Sequence, residues 1–446
     1  MTATVIEGCA VATVDAAGTE YLSGHVVVDN GRIAAVGPGS YPGPGSRIEG
    51  TGCLATPGLV NTHHHLYQWA TRGYAQQENL FGWLTELYPI WANLDEQVVA
   101  DTTAAGLGWL ALSGCTTSAD HHYIYPSGVG DLLAAQATAV GEIGLRFHLA
   151  RGSMDLGKST GGLPPDHIVE DTDAALAGTE EAIDRLHDPA PDAMLRVAVA
   201  PCSPFSVTEE LMKEAAALAR RRGVRLHTHL AETVEEEEYC RDTHGCTPAE
   251  YADRLGWLAD DVWLAHAIHL SAGAVARFGA TGTGVGHCPS SNARLGAGVA
   301  PVSDLLAAGA PVGLGVDGSA SQEANQLGPE LRQALYAARL RGGPAALTAR
   351  QALALGTIGG ARCLGRDGEL GSLEVGKLAD IALWRLDGLG HAGIDDPVAA
   401  LAFGPPATVE LLLVGGRPVV ERGALRTADE RDLARRTRRA HERLQR

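Results

Sequence analysis

The stretch GLVNTHHH, beginning at Gly58, ends in three consecutive histidines, His63, His64 and His65. In an extended segment alternate side chains share a face, so His63 and His65 point together and His64 points away. Further along, HTHLAE carries His227, His229 and Glu232, LAH ends in His266, and GLGVD ends in Asp317. Imidazoles and a carboxylate are the donor types of a tetrahedral zinc site, and His63, His65, His229 and Asp317 make a coherent N/N/N/O set. Any one of them alone reads as a hydrogen-bonded polar residue near a loop; four at the ends of apolar strands read as a metal centre. His64 and His227 are expected to be ordinary hydrogen-bonded residues. Glu232 lies three positions after His229, just past the strand end, where it could approach an activated water without being a ligand. The acidic run that follows, Glu235 to Glu238, is expected to be a solvated helix face.

These groups stand at the ends of short apolar strands. GLVNTH, CTTSADH, LRFHLAR, LRVAVAP, VRLHTHLAE, VWLAHA, TGVGHCP and VGLGVD alternate with helical stretches such as VTEELMKEAAALARRR. The rhythm predicts an α/β fold, a (β/α)8 TIM-type barrel with its active site at the C-terminal strand ends. An open doubly wound sheet is the competitor, but no G-x-G-x-x-G turn follows any strand. Residues 3–50 and 369–423 have another texture, short strands and turns with Asn30-Gly31 as a hairpin signal. They predict a small β-sandwich domain formed from both chain termini. The expected division is 1–56 and 367–446 for the two parts of that domain, the second with a terminal helix, and 57–366 for the barrel.

Of the 446 residues 45% are apolar and 20% charged, an ordinary globular balance. The formal charge of −18 repels phosphate backbones, so nucleic acid is discounted as a partner. The eight cysteines include no C-x-x-C pair and are expected to be reduced thiols. MTATVIEGCAVATVD has no basic segment before an apolar core, and no apolar run reaches membrane-spanning length. The expectation is a cytoplasmic protein with no membrane partner. The basic ending RDLARRTRRAHERLQR is read as a solvated helix offsetting an acidic body.

P-G-L-V-N-T-H-H-H, H-L-A-E-T, L-A-H and G-V-D-G-S-A-S together resemble the amidohydrolase superfamily, in its branch of aminohydrolases acting on cytosine-, guanine- and triazine-like rings. The resemblance implies one zinc ion on His63, His65, His229 and Asp317, and such donors also accept iron or manganese. It implies Glu232 as general acid/base, His266 as a hydrogen-bonding group at the attacked centre, and Asp317 as acceptor of the water proton. Binuclear members carry a bridging lysine or glutamate at the end of strand four; here that strand ends Ala200-Pro201-Cys202-Ser203, so a single metal is expected.

Within that branch HLYQ from His65, LFGWLTELYPIWANLD, SGCTTSADHHYIYP, ARGSMDLGKSTGG and SSNARLGAGVAP are most similar to members that convert 8-oxoguanine to urate and ammonia. Deamination of isoxanthopterin or guanine, or hydrolysis of a chloro- or aminotriazine, are the alternatives on the same site. Gln68 has the amide donor and acceptor to read a purine edge. Trp83 and Tyr123 are candidates to wall a flat ring, while Tyr88 and Trp91 stand between that and ordinary packing. Arg151, His269 and Asn292 complete the substrate-side set, and Arg294 either joins it or pins a loop. Gln322-Glu323 stands where the resemblance leads one to expect Asn followed by Asp or Asn, and Ala293 where a larger residue is expected. Both departures bear on pocket detail. Glu232 favours deamination over loss of chloride, and a non-catalytic scaffold should lack ligands that this chain retains. A small heterocyclic substrate and a homodimer or higher homo-oligomer complete the expectations.

Overall fold

Pro57 ends a sheet strand and Leu59 begins the first barrel strand, with only Gly58 between them. A Cβ at Gly58 would lie 2.2 Å from the Thr116 side chain, so glycine alone lets the chain pass there. The structure, a computed structural model, describes residues 3–445. Beyond Gly58 the strands Leu59–Asn61, Cys115–His122, Arg146–Ser153, Leu195–Pro201, Leu226–Leu230, Val262–His266, Gly284–His287 and Val312–Leu314 pair in chain order, all parallel. The eighth closes on the first through Leu314 and Asn61. This is the (β/α)8 barrel that the alternating apolar runs predict; strands covered by helices are buried on both faces and read as continuous apolar runs.

Val60, Ala119, Ala150, Ala198, Ala200 and Trp263 cluster inside the barrel, four alanines leaving room for one indole. The Trp263 Nε1–H donates to Thr62 O at 2.9 Å, which satisfies a buried donor and holds the backbone one residue before His63. The helices end where their sequences say. Glu209–Arg222 starts behind Thr208, whose side chain accepts from Leu211 N–H, and stops at Gly223 in the left-handed region, with glutamates in its first turn and arginines in its last.

Both termini meet in one sheet of nine strands. Thr4–Ala12, Glu20–Asp29, Arg32–Pro38, Ser46–Glu49 and Cys53–Pro57 come from the N-terminal side; Ile381–Arg385, Thr408–Val414, Arg417–Glu421 and Ala424–Leu425 come from the other. The seam is the antiparallel pairing of Cys53–Pro57 with Ile381–Arg385. Ile6, Val11, Val26, Ile381, Leu383 and Leu411 share its core, each worth roughly 1.5–3 kcal/mol of burial. A buried pair, Arg146 with Asp380 at 2.8 Å, ties the barrel floor to this sheet. Losing one member would cost about 3–5 kcal/mol by stranding the other charge.

The terminal helix Glu430–Leu444 is not the solvated helix expected. Leu433, Ala440 and Leu444 are buried, and Arg436 reaches the buried Asp101 of helix Glu96–Leu112 at 2.7 Å. Its basic residues mark the outer face of a helix docked on the barrel. All eight cysteines are free thiols. No helix among the described residues is long and apolar enough to cross a membrane.

Candidate active site

The first barrel strand ends at Asn61, and His64-His65 then pair in parallel with Asp317-Gly318, just past the eighth strand. This short ladder sets the ends of strands one and eight side by side. The alternation expected from the sequence is present: the His63 and His65 rings meet edge to face at 4.7 Å, and His64 turns away to place Nε2 2.8 Å from Asn325 Oδ1. His229 arrives from the fifth strand. His65 Nε2 lies 3.1 Å from His229 Nε2, while His63 Nε2 and His65 Nε2 lie 3.3 and 3.4 Å from Asp317 Oδ1.

The hydrogen bonds fix where the ring protons are. His65 Nδ1 is 2.7 Å from His121 O and His229 Nδ1 is 2.7 Å from Cys202 O. A carbonyl only accepts, so both Nδ1 atoms carry the proton and both Nε2 atoms present lone pairs. His227 Nδ1–H donates to Trp263 O at 2.8 Å, so its Nε2 accepts, and His63 Nδ1, 2.9 Å away, must be the donor. His63 Nε2 is therefore a third lone pair, buried and without a hydrogen-bond partner. Burial holds all three histidines below the usual imidazole range and so neutral. Three lone pairs and a carboxylate oxygen thus face one another with no hydrogen between them, an arrangement that repels unless a cation sits among them. Ligands bound at ~2.0–2.2 Å around a tetrahedral zinc stand ~3.3–3.6 Å apart, close to the separations here. The donor set fits a divalent cation.

Beside this set sits acid–base chemistry. Burial pushes Glu232 up to about 7, His266 pulling it down and Asp317 and Glu236 adding to the rise. Its Oε2 is 3.5 Å from His266 Nε2. The His266 Nδ1–H donates to Asn292 Oδ1 at 2.9 Å; burial opposes its charge, but Glu232 and Asp317 raise its pKa above the usual value. Asp317 Oδ2 accepts from the Ser291 hydroxyl at 2.6 Å. Ala231, His266 and Asp317 adopt φ of 52°, 72° and 65°, left-handed conformations costing ~1–3 kcal/mol each in residues other than glycine. Their gathering at three strand ends around one point marks that point as more than scaffold.

Three residues, Glu236, Ser291 and His227, carry weight that the sequence alone did not give them. Glu236 is buried, not solvated: its carboxylate accepts from Ala231 N–H and Glu232 N–H, both at 2.8 Å, and so pins the Glu232 backbone. The spacing Thr233-x-x-Glu236 at a helix start was a signal that it turns back to the backbone. Ser291 carried no such signal. His227, expected to be ordinary, is the residue that sets the His63 tautomer.

A cavity opens over this group, bounded by His65, His229, Glu232, His266 and Asp317 and walled by Gln68, Trp83, Tyr88 and Tyr123. Aromatic walls with a few convergent polar groups suit a small flat heterocycle. Gln68 accepts from Ala320 N–H at 3.4 Å, and its Nε2 is buried without a partner. A Cβ at Gly318 would lie 1.8 Å from Gln68 Oε1, so glycine is what keeps this amide in place. The Trp83 Nε1–H donates to Ala320 O at 3.1 Å, and Tyr123 meets His65 edge-on at 5.2 Å. Trp91 is fully buried with its Nε1–H on Thr71 and takes no part in the wall. Asn292 acts through His266 rather than on the cavity.

Arg151 and His269 are not on this cavity, contrary to the sequence reading. Ala150 faces the barrel interior, so Arg151, its neighbour on the strand, faces outward; its guanidinium is bidentate to Glu170 at 2.7 and 2.8 Å and lies over the Tyr125 ring. His269 follows the left-handed pair His266-Ala267, which turns the chain outward, and its Nε2–H donates to Ala297 O at 3.0 Å. Arg294 pins a loop, bonding Tyr74 O, Ala75 O and Glu323. Gln322 donates to the buried Glu330 at 2.7 Å, so the departures at Gln322-Glu323 lie behind the cavity.

The Amidohydrolase family profile matches residues 54–419. The chain is 47% identical to 8-oxoguanine deaminase of Pseudomonas aeruginosa over 91% of its length and 92% of that protein's. It is 37% identical to isoxanthopterin deaminase from an unknown prokaryotic organism, over 88% of each chain. Among solved structures it superposes on atrazine chlorohydrolase of Arthrobacter aurescens TC1 complexed with zinc, with a TM-score of 0.93, 35% identity and coverage of 98% and 100%.

Proposed function

The chain belongs to the amidohydrolase family, and from that membership we propose that it is a mononuclear metal hydrolase that deaminates a guanine-like ring, 8-oxoguanine foremost, to urate and ammonia. The observation that carries this reading is the convergence of three imidazole lone pairs and a carboxylate oxygen beside a buried glutamate poised near neutrality. The hydrolase unit is assigned to residues 57–366. His63, His65, His229 and Asp317 would hold the ion, zinc or else iron or manganese, and the composite sheet supports their strands.

The ion, when bound, supplies Lewis acidity that draws the pKa of a water from ~15.7 towards ~7. Asp317, oriented by Ser291, accepts the proton of the attacking water. Glu232 carries a proton because burial has raised its pKa, and it gives that proton to a ring nitrogen. Protonation makes the adjacent amidine carbon electrophilic. His266, its pKa raised by Glu232 and Asp317 against the opposing effect of burial, presents Nε2 to the attacked centre for a hydrogen bond. Gln68 is left with an unpartnered amide donor to read the ring edge, while Trp83 and Tyr123 exclude water from its faces. Asp317 passes its proton to the amino group, the ionised Glu232 takes the hydroxyl proton as the carbonyl forms, and collapse expels ammonia.

The second reading, triazine hydrolysis on the same groups, is supported by the likeness to atrazine chlorohydrolase. Zinc-loaded protein incubated with 8-oxoguanine, guanine, isoxanthopterin and a chlorotriazine, with ammonia and chloride followed, separates the two. Ammonia from 8-oxoguanine well above the others supports the first reading; chloride from the triazine with no ammonia from any purine replaces it.

A further inference from the structure

The barrel floor, at the other end of the strands from the cavity, holds a second concentration of charged side chains, Arg196, Arg225 and Arg366 around His148. Ala150 and Ala198 face the barrel interior, and two residues earlier on the same strands stand His148 and Arg196. By alternation these also face inward, one layer lower, and they are direct register partners across the third and fourth strands. Arg225 stands two residues before the inward-facing His227, just ahead of the fifth strand, and its charge bears on His148 together with those of Arg196 and Arg366.

Two neighbouring arginines are fully employed. Arg366 bonds Glu369 at 2.6 Å and the carbonyls of Ala193 and Pro191, and Arg146 is bidentate to Asp380. Arg196 and Arg225 are not. Arg196 uses only Nη2, on Glu369 and Ala190 O, and Arg225 uses only Nη2, on Asp260 O. The Nε atoms of both arginines and Nε2 of His148 are buried with no hydrogen-bond partner. Glu369 is thus shared between Arg196 and Arg366, and Arg225 has no carboxylate in contact. Asp260, Asp261 and Asp367 act on Arg225 only at longer range, so its Nε–H and that of Arg196 stay without a partner. Gly365 is part of the same construction: a Cβ there would lie 2.9 Å from Arg225 Nη1. The layer also reaches solvent, since the Arg196 side chain is 15% exposed.

We propose that Arg196, Arg225 and His148 form a binding site for a small inorganic oxyanion, phosphate or sulfate, on the barrel floor. Guanidinium forks match the oxygens of a tetrahedral anion, and the unpartnered N–H groups of two arginines and a neutral imidazole are the donors such an anion takes up. A bound anion would join strands three, four and five at their N-terminal ends, remote from the reaction.

The test is equilibrium dialysis of the full chain against radiolabelled phosphate at fixed ionic strength, in metal-stripped and zinc-loaded protein, with Arg225→Met as the variant. The two metal states separate this site from any phosphate captured at the catalytic mouth. Expected is saturable uptake of about one phosphate in the metal-stripped protein, displaced by sulfate, weakened about tenfold or more in Arg225→Met, with ammonia release unchanged. The thermal midpoint should rise with phosphate in the wild type and not in the variant. Uptake that requires zinc, or that is unchanged in Arg225→Met, overturns the proposal. Should the variant fail to fold, wild-type dialysis still decides: no saturable uptake by metal-stripped protein refutes the site.

Discussion

Replacing His227 by leucine tests the proton logic of the metal set. His227 is stacked on Trp263 with ring centroids 4.4 Å apart, donates to Trp263 O at 2.8 Å and accepts from His63 Nδ1–H at 2.9 Å. Leucine leaves that N–H buried without an acceptor, a defect worth about 1–3 kcal/mol. His63 can relieve it by moving its proton to Nε2, which removes the lone pair from the ion. Either way the loss falls on metal binding, so the ion should be held ~5–150-fold more weakly, in line with the ~10–100-fold typical of partners behind metal ligands. Glutamine at this position can restore an acceptor near the original Nε2 and should recover much of the loss. The assay is competition with a chelator of known affinity, read as metal retained, alongside ammonia release at saturating metal. A leucine variant that folds and holds its metal within about twofold of the wild type refutes the reasoning, as does a glutamine variant no better than leucine.

Glu232→Gln keeps the shape but cannot deliver a proton, so kcat should fall ~10²–10⁴-fold with metal content unchanged, checked by steady-state kinetics and elemental analysis. Ser291→Ala removes the 2.6 Å hydrogen bond to Asp317 Oδ2, a bond to a charged group worth ~1.5–3 kcal/mol, and kcat/KM should drop ~10–100-fold while the fold persists by circular dichroism. Gly318→Ala would place a methyl where Gln68 Oε1 now lies, displacing the ring-reading amide, and should raise KM more than it lowers kcat. Since burial raises Glu232 to about 7 and the acid form is the one that reacts, kcat/KM should decline as pH rises through that value; a flat profile from about pH 6 to about pH 9 would contradict the assignment.

The barrel is legible in the sequence because its parallel strands are buried on both faces and so appear as apolar runs separated by amphipathic helices. The candidate ligands and His266 are legible because His63, His65, His229, His266 and Asp317 all stand at the ends of such runs. What makes them a site is less legible, since it depends on carbonyls of neighbouring strands: His121 O, Cys202 O and Trp263 O decide which nitrogens are lone pairs. Arg151 could have been excluded from parity alone, once Ala150 is taken as inward. His269 could not, because the left-handed turn at His266-Ala267 follows no propensity rule. Glu236 was hidden in an acidic run, and only the backbone N–H groups that it holds distinguish it from its solvated neighbours.

The central claim is that one ion on His63, His65, His229 and Asp317 enables deamination. Metal-stripped protein titrated with zinc, with ammonia release from 8-oxoguanine followed at each addition, tests it most directly. Activity should rise from near zero and level off at about one equivalent, as a single four-donor site requires. Full activity in the stripped protein, or a plateau reached only at two equivalents, would contradict it.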